Sequence, residues 1–174
     1  MKLSTSLEYN KKQACERFPL GKSFDLITRD LYLGNTAAWF LGVNGMCRTE
    51  VLQEIFSDLQ NPSYMKDSTI EDISRYMASK IGYAQTELTD DWDAIVSAVL
   101  SGPCVLLVDG FAHAILLDTR TYPARSISEP ETERVTMGAR DGFVETMLFN
   151  ANLIRRRIRN PRLTFAVRSV GSDS

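Results

Sequence analysis

Six arginines and no acidic residue lie between Ala151 and Val170, and three of them are consecutive, Arg155, Arg156 and Arg157. A guanidinium offers a planar fork of donors suited to carboxylates and phosphates. Three readings follow. Cations at a helix C-terminus offset its dipole. Arginines can also meet an acidic neighbouring domain or an anionic membrane face, or nucleic-acid phosphates. The run lacks interleaved aromatic residues, and a net charge of −2 gives no global attraction to nucleic acid, so nucleic acid is not the expected partner. Acid–base chemistry has little to work with. The single histidine, His113, stands in Phe111-Ala112-His113-Ala114 with no serine elbow, and is expected as a half-buried strand residue. Cys15, Cys47 and Cys104 share no metal-ligand spacing and read as free thiols. Glu129, Glu131 and Glu133, flanked by Arg125 and Arg134, read as solvated rather than as a cation loop. Gly21-Lys22-Ser23 is no phosphate loop, because Glu16 takes the place of its first glycine. No acid–base–nucleophile set can be assembled, so the chain is not expected to be an enzyme and no metal or cofactor is expected.

The elements that must position these residues show in the hydrophobic spacing. Leu7 to Phe18 reads as a short helix or tail, closed by Pro19 and Gly21. Two strands follow over residues 23–46, with Gly34-Asn35 between them and Asn44-Gly45 after them. Val51, Leu52, Ile55, Phe56 and Leu59 make a helical stripe. Ser68 and Glu71 have capping-box spacing for a helix whose apolar face runs from Ile70 to Ile81. A short extended piece, Tyr83 to Leu88, leads to a third helix capped by Thr89 or Asp90, with Trp92, Ile95, Val96, Val99 and Leu100 as its stripe. Cys104 to Val108 and Ala112 to Leu117 are apolar strands joined by Asp109-Gly110, a hairpin signal.

The expected fold class is α/β: a small mixed-sheet domain with helices on at least one face, then a linker, then a helix and strand that begin a second α/β subdomain. The expected boundaries are residues 1–20 for the tail or short helix, 21–120 for the first subdomain, 121–140 for the linker and 141–174 for the incomplete second subdomain. The linker carries two prolines and alternating charge. The helix after it is expected over Gly142 to Asn160, and the strand over Leu163 to Val170. Gly138 and Gly142 are suited to a bend into that helix. At 44% hydrophobic and 24% charged residues, 174 residues can bury a core without staples. No stretch has the roughly 20 apolar residues of a membrane span, and no secretory signal precedes the first elements.

Residues 128–135 (SEPETERV), 138–145 (GARDGFVE) and 150–159 (NANLIRRRIR) together resemble the signature of the A-subunit family of spore germinant receptors, the GerA family. Val108-Asp109-Gly110, residues 118–125 (DTRTYPAR) and residues 40–47 (FLGVNGMC) are similar to the same family, in particular to its stage V sporulation branch. The likeness covers about residues 23–170. Two positions depart from the pattern: Thr136-Met137 replaces a basic residue, and Ala124 replaces a glycine.

The resemblance implies a soluble N-terminal region of two small α/β subdomains, reminiscent of a solute-binding protein, followed in the full-length protein by a membrane region absent from this chain. It implies the cytosolic, spore-core face of the inner spore membrane. Other germination-complex subunits are the implied partners, with homo-oligomers and an ion-channel complex. The motif residues it marks are Pro130, Glu133, Arg134, Gly138, Arg140, Asp141, Gly142, Glu145, Asn150, Arg155, Arg156 and Arg157. Charged residues around the bend, from Glu133 to Glu145, could pair and set the angle between the two units. The function expected is a regulatory or assembly domain in spore germination. A small-ligand binding module is the alternative.

Overall fold

The computed structural model describes residues 1–60, 85–120 and 143–171. Helix α1 (Leu7–Arg17) comes first, then strands β1 (Leu26–Leu33) and β2 (Thr36–Val43) and helix α2 (Thr49–Gln60). After residue 84 follow β3 (Gln85–Thr89), α3 (Trp92–Ser101), β4 (Cys104–Val108) and β5 (Ala114–Asp118), and the last helix is α4 (Met147–Arg157). The expected capping box at Ser68 and Glu71, its helix to Ile81, and the linker of residues 121–140 lie outside the described residues.

Among the described residues the strands form one five-stranded sheet in the order β1-β2-β4-β5-β3. Every pairing is antiparallel, which corrects the expectation of a mixed sheet. A helix between two strands suggests parallel neighbours, and β3–α3–β4 is indeed such a crossover. It skips one strand's width, however, and β5 fills the gap antiparallel to both.

Helices cover both faces, because side chains alternate along each strand. Phe40, Cys104, Leu106 and Leu117 pack with Leu52, Ile55 and Leu59 of α2. Trp39, Leu41, Val105 and Leu107 pack with Leu7 and Ala14 of α1 and with Trp92, Ile95 and Val99 of α3. That is why β4, CVLLV, is buried at every position.

The ends of the helices are fixed by polar side chains. Ser6 caps α1 through Tyr9 N, and Leu7 N donates to Asp109 Oδ1 at 2.9 Å from the β4–β5 turn. The cap of α3 is Asp91, one residue past the expected Thr89 or Asp90, because Asp90 pairs with Lys2 and Thr89 Oγ1 accepts from Asp91 N. Gly102, at φ 114°, ends α3 in the left-handed conformation. The β4–β5 connection is longer than a two-residue hairpin: Phe111 N closes a turn on Val108 O, and β5 starts only at Ala114. His113 therefore lies exposed in that loop, beside the Phe111 ring, and not half-buried in a strand.

Two expectations for the C-terminal segment change. Helix α4 starts at Met147, five residues later than expected, and ends at Arg157, short of Asn160. Residues 163–170 run without ladder pairing, so the expected strand over Leu163 to Val170 is not formed. A strand needs a row of backbone partners. Here the backbone tie to the sheet-bearing part is Phe24 N to Phe165 O, at 3.0 Å.

Candidate functional site

Helical geometry splits the arginine run. Successive residues on α4 are turned by about 100°, so the three side chains cannot share one face. Arg155 points inward and is fully buried, whereas Arg156 is half-buried and Arg157 exposed.

The partner of Arg155 is Asp25, on the approach to β1 and equally buried. Arg155 Nε donates to Asp25 Oδ2 at 2.8 Å, and Nη2 donates to Oδ1 at 3.2 Å. The same guanidinium donates to the carbonyls of Asn160 (3.1 Å) and Leu163 (2.8 Å), which shapes the chain just after α4. Ser23 Oγ donates to Asp25 Oδ1 at 2.5 Å and accepts from Phe165 N at 2.9 Å. The Phe165 ring lies under the guanidinium, 5.1 Å from its carbon, and meets Phe24 edge-on. Asp25 also fixes the sheet side of the joint, because its carbonyl accepts from Asn44 N at 2.7 Å in the β2–α2 loop. A bidentate pair with its remaining donors satisfied is the condition for burying two opposite charges. The arrangement is a joint that holds α4 and residues 158–165 against the head of β1.

Asn150 fixes how the chain enters α4. Its Oδ1 accepts from Val144 N (2.8 Å) and its Nδ2 donates to Val144 O (2.6 Å). Asn10 grips Ser4 in the same way at the entry to α1, with bonds of 3.0 and 2.7 Å. This clamp keeps residues 143–146 out of the helix, which accounts for its late start. Glu145 is exposed on this entry segment. Pro130, Glu133, Arg134, Gly138, Arg140, Asp141 and Gly142 lie outside the described residues.

Beside the joint, a cavity of about 520 Å³ opens between the β2–α2 loop and the start of α4, bordered by Cys47, Arg48, Thr146, Leu148 and Asn152. The loop makes close contact there. Gly45 has φ 75°, and a Cβ on it would lie 2.7 Å from Asn152 Nδ2, so glycine serves both the conformation and the fit. Asn152 is 3% exposed, and its Oδ1 has no hydrogen-bond partner. Thr146, at the N-cap of α4, makes no side-chain bond to the first turn, and that turn holds no acidic residue. Asn152 and the uncapped first turn of α4 thus border one cavity, a setting for a small polar molecule.

On the loop side, Cys47 Sγ donates to Gly102 O at 3.3 Å. The neighbouring Cys104 thiol holds Cys47 below the usual thiol range. Cys104 is pushed up, first by Cys47 and then by burial. Thr119 Oγ1 is buried and has no hydrogen-bond partner. Among the described residues, no group of three histidine, cysteine, aspartate or glutamate side chains could hold a metal ion, and no helix is long and apolar enough to cross a membrane.

Sequence reasoning singled out Arg155 but missed Asp25, Ser23 and Phe165. A signal was present: six arginines without an acid between residues 151 and 170 require a carboxylate from elsewhere. Asn152 and the Cys47–Cys104 neighbourhood left no signal in spacing, since 56 residues separate the two cysteines in the chain.

A family model described as Bacillus/Clostridium GerA spore germination protein matches residues 16–174. Stage V sporulation protein AF of Bacillus subtilis is 33% identical over 95% of this chain, which spans 33% of that protein. Spore germination protein B1 of Bacillus subtilis is 29% identical over 87% of the chain, spanning 32% of that relative. The chain thus spans about a third of the length of these curated relatives. In fold it is similar to the crystal structure of the N-terminal domain of the A subunit of the Bacillus megaterium spore germinant receptor GerK3. The TM-score is 0.67 and the identity 21%, over 92% of this chain and 58% of that one.

Proposed function

This chain belongs to the GerA family of spore germination proteins, and from that premise we propose that it is the cytosol-facing N-terminal region of a germination membrane protein, with a regulatory or assembly role in an ion-channel complex. The observation that carries this reading is the buried Arg155–Asp25 pair. It fastens the C-terminal helix to the sheet, so a displacement of that helix acts on the sheet through one rigid joint. A bistable angle between packed units is a recognised switching device. The exposed face of α4 and its flanks, with Phe143, Met147 and Ile158, offers apolar surface for assembly.

In this reading residues 21–120 form the first unit, and the chain from residue 141 begins a second. The matching asparagine clamps at Asn10 and Asn150 support that division, since each opens a helix by the same device. Residues 121–140 are the linker, and Pro130, Glu133, Arg134, Gly138, Arg140, Asp141, Gly142 and Glu145 set its bend. Chemistry on a substrate has no place in this role. Partners are other subunits of the germination complex and further copies of the full-length protein.

The test uses spores carrying the full-length protein with Arg155→Met, and separately with Arg140→Ala and Glu145→Ala. Protein abundance in the spore is checked by immunoblot. The expected result is slowed germination-linked ion release at normal abundance in Arg140→Ala and Glu145→Ala, and slowed release together with lowered abundance in Arg155→Met, whose buried joint is lost. Unchanged release in all three variants refutes the reading.

A second reading, a small-ligand module, is favoured by the cavity of about 520 Å³ that Asn152 and Thr146 border at the start of α4. A ligand bound only to the folded chain raises its melting temperature. A panel of small carboxylates, amides and alcohols should contain a compound that does so, with the rise lost in Asn152→Leu. A flat response across the panel removes this reading.

A further inference from the structure

The buried joint uses one arginine of the run and leaves the others without a role. Arg155 turns inward, and Arg156 and Arg157 have contacts of their own within the chain. Arg159, Arg162 and Arg168 are exposed. No ion pair among the described residues takes any of these three.

The joint decides which way this segment faces. Arg155 holds the carbonyls of Asn160 and Leu163, and Ser23 Oγ holds Phe165 N. Burial alternates accordingly: Leu163 and Phe165 are half-buried, whereas Arg162, Thr164 and Ala166 are exposed. The same contacts bring in a fourth cation. Phe24 N donates to Phe165 O at 3.0 Å, and Lys22, next to Ser23, is exposed and also outside the ion pairs of the described residues. No acidic residue lies between Ala151 and Val170, and Asp25, the carboxylate of the joint, is taken by Arg155. Val167 and Val170 stand among these cations, 51% and 87% exposed.

We propose that residues 159–170, together with Lys22, form a docking surface for a membrane of anionic phospholipid. The guanidinium and ammonium groups meet headgroup phosphates, and the two valines enter the boundary between headgroups and acyl chains. Charge complementarity selects this partner. The cations are spread along a surface segment with aliphatic side chains between them, and lipid headgroups move to meet such a spread. A folded acidic protein is gripped instead by clustered anchors, chiefly tryptophan, tyrosine and arginine. Single-stranded nucleic acid needs aromatic rings for stacking, and Phe165, the aromatic residue of this segment, lies under the Arg155 guanidinium.

The docked segment is bonded to Arg155 and to Ser23, so a bilayer that holds it also orients the head of β1. Vesicles hold no other subunit, so this binding stands or falls apart from the proposed role in germination.

The test floats the chain with vesicles of equal parts phosphatidylglycerol and phosphatidylcholine, and with vesicles of phosphatidylcholine alone. The expected result is binding to the first and not the second, with release at high salt. Each basic residue at an anionic surface is worth about fivefold in affinity. Lys22→Ala should therefore weaken binding about fivefold, and the triple variant Arg159→Ala, Arg162→Ala, Arg168→Ala roughly a hundredfold. These side chains are exposed, so the melting temperature should stay unchanged in both variants. Val167→Asp with Val170→Asp should also weaken binding. Absent binding, equal binding to both vesicles, or full binding by the triple variant overturns the proposal. Tighter binding to duplex DNA than to the anionic vesicles, at equal phosphate and salt, overturns it in favour of nucleic acid. Full binding by Lys22→Ala removes that residue from the surface.

Discussion

Replacing Arg155 with methionine should remove a large share of the stability of this fold. Asp25 and Arg155 are both 0% exposed. Without the guanidinium, the carboxylate keeps only the Ser23 hydroxyl as a side-chain donor. Breaking a buried pair from one side costs about 3–5 kcal/mol. The carbonyls of Asn160 and Leu163 also lose their donor, at roughly 1 kcal/mol for each bond that water does not replace. Domains of this kind are stable by about 5–15 kcal/mol. With a urea m-value of about 2 kcal/mol/M, the midpoint should fall by roughly 2 M. Trp39 and Trp92 are buried and report the transition by fluorescence, while amide exchange across Met147–Arg157 shows whether the loss is global or confined to α4. The double variant Asp25→Leu with Arg155→Met should recover much of the loss, because an apolar pair can replace a buried ionic one at little cost. A shift of less than about 1 kcal/mol for the single variant, or a double variant no better than the sum of both singles, refutes the account of the joint.

Asn152→Leu should raise stability by about 1 kcal/mol, since it removes a buried acceptor with no partner; thermal unfolding without added ligand checks the sign. Gly45→Ala should lower stability by roughly 1–3 kcal/mol through its left-handed backbone and through a Cβ placed 2.7 Å from Asn152 Nδ2, seen as a lower melting temperature. Asp118 is held below the ordinary carboxylate range, first by its hydrogen bond from Arg120. A carboxylate depressed in the folded state contributes stability above its unfolded pKa of about 3.9 and loses it as the pH falls through the folded value. Arg120→Ala should therefore move the Asp118 carboxyl titration upward in carbon NMR and flatten the acid limb of the stability curve below about pH 4.

The readable parts of this chain are those whose cause is local. Apolar positions at helical spacing located α2 and α3, because a stripe on one face is a property of the segment itself. The apolar runs and turn residues over residues 23–46 located β1 and β2 for the same reason. The linker and helix motif carried the family resemblance, which the match over residues 16–174 agrees with. Boundaries went astray where a distant residue intervened. Lys2 takes Asp90, so Asp91 caps α3; Asn150 holds Val144 outside α4; residues 163–170 bond a loop and not a strand.

The sequence by itself determined α2, α3, the β1–β2 pair, the α/β class and the family, since each depends on spacing within a short stretch or on a continuous motif. Only the tertiary structure decided that β5 enters between β3 and β4, so that the sheet is antiparallel throughout. Only it separated Arg155 from its two neighbours and gave it Asp25, 130 residues away, and only it set the Cys47 thiol against the carbonyl of Gly102. Partners this distant in the chain leave no periodic trace. They are chosen when buried charges and thiols must find complements within a packed interior.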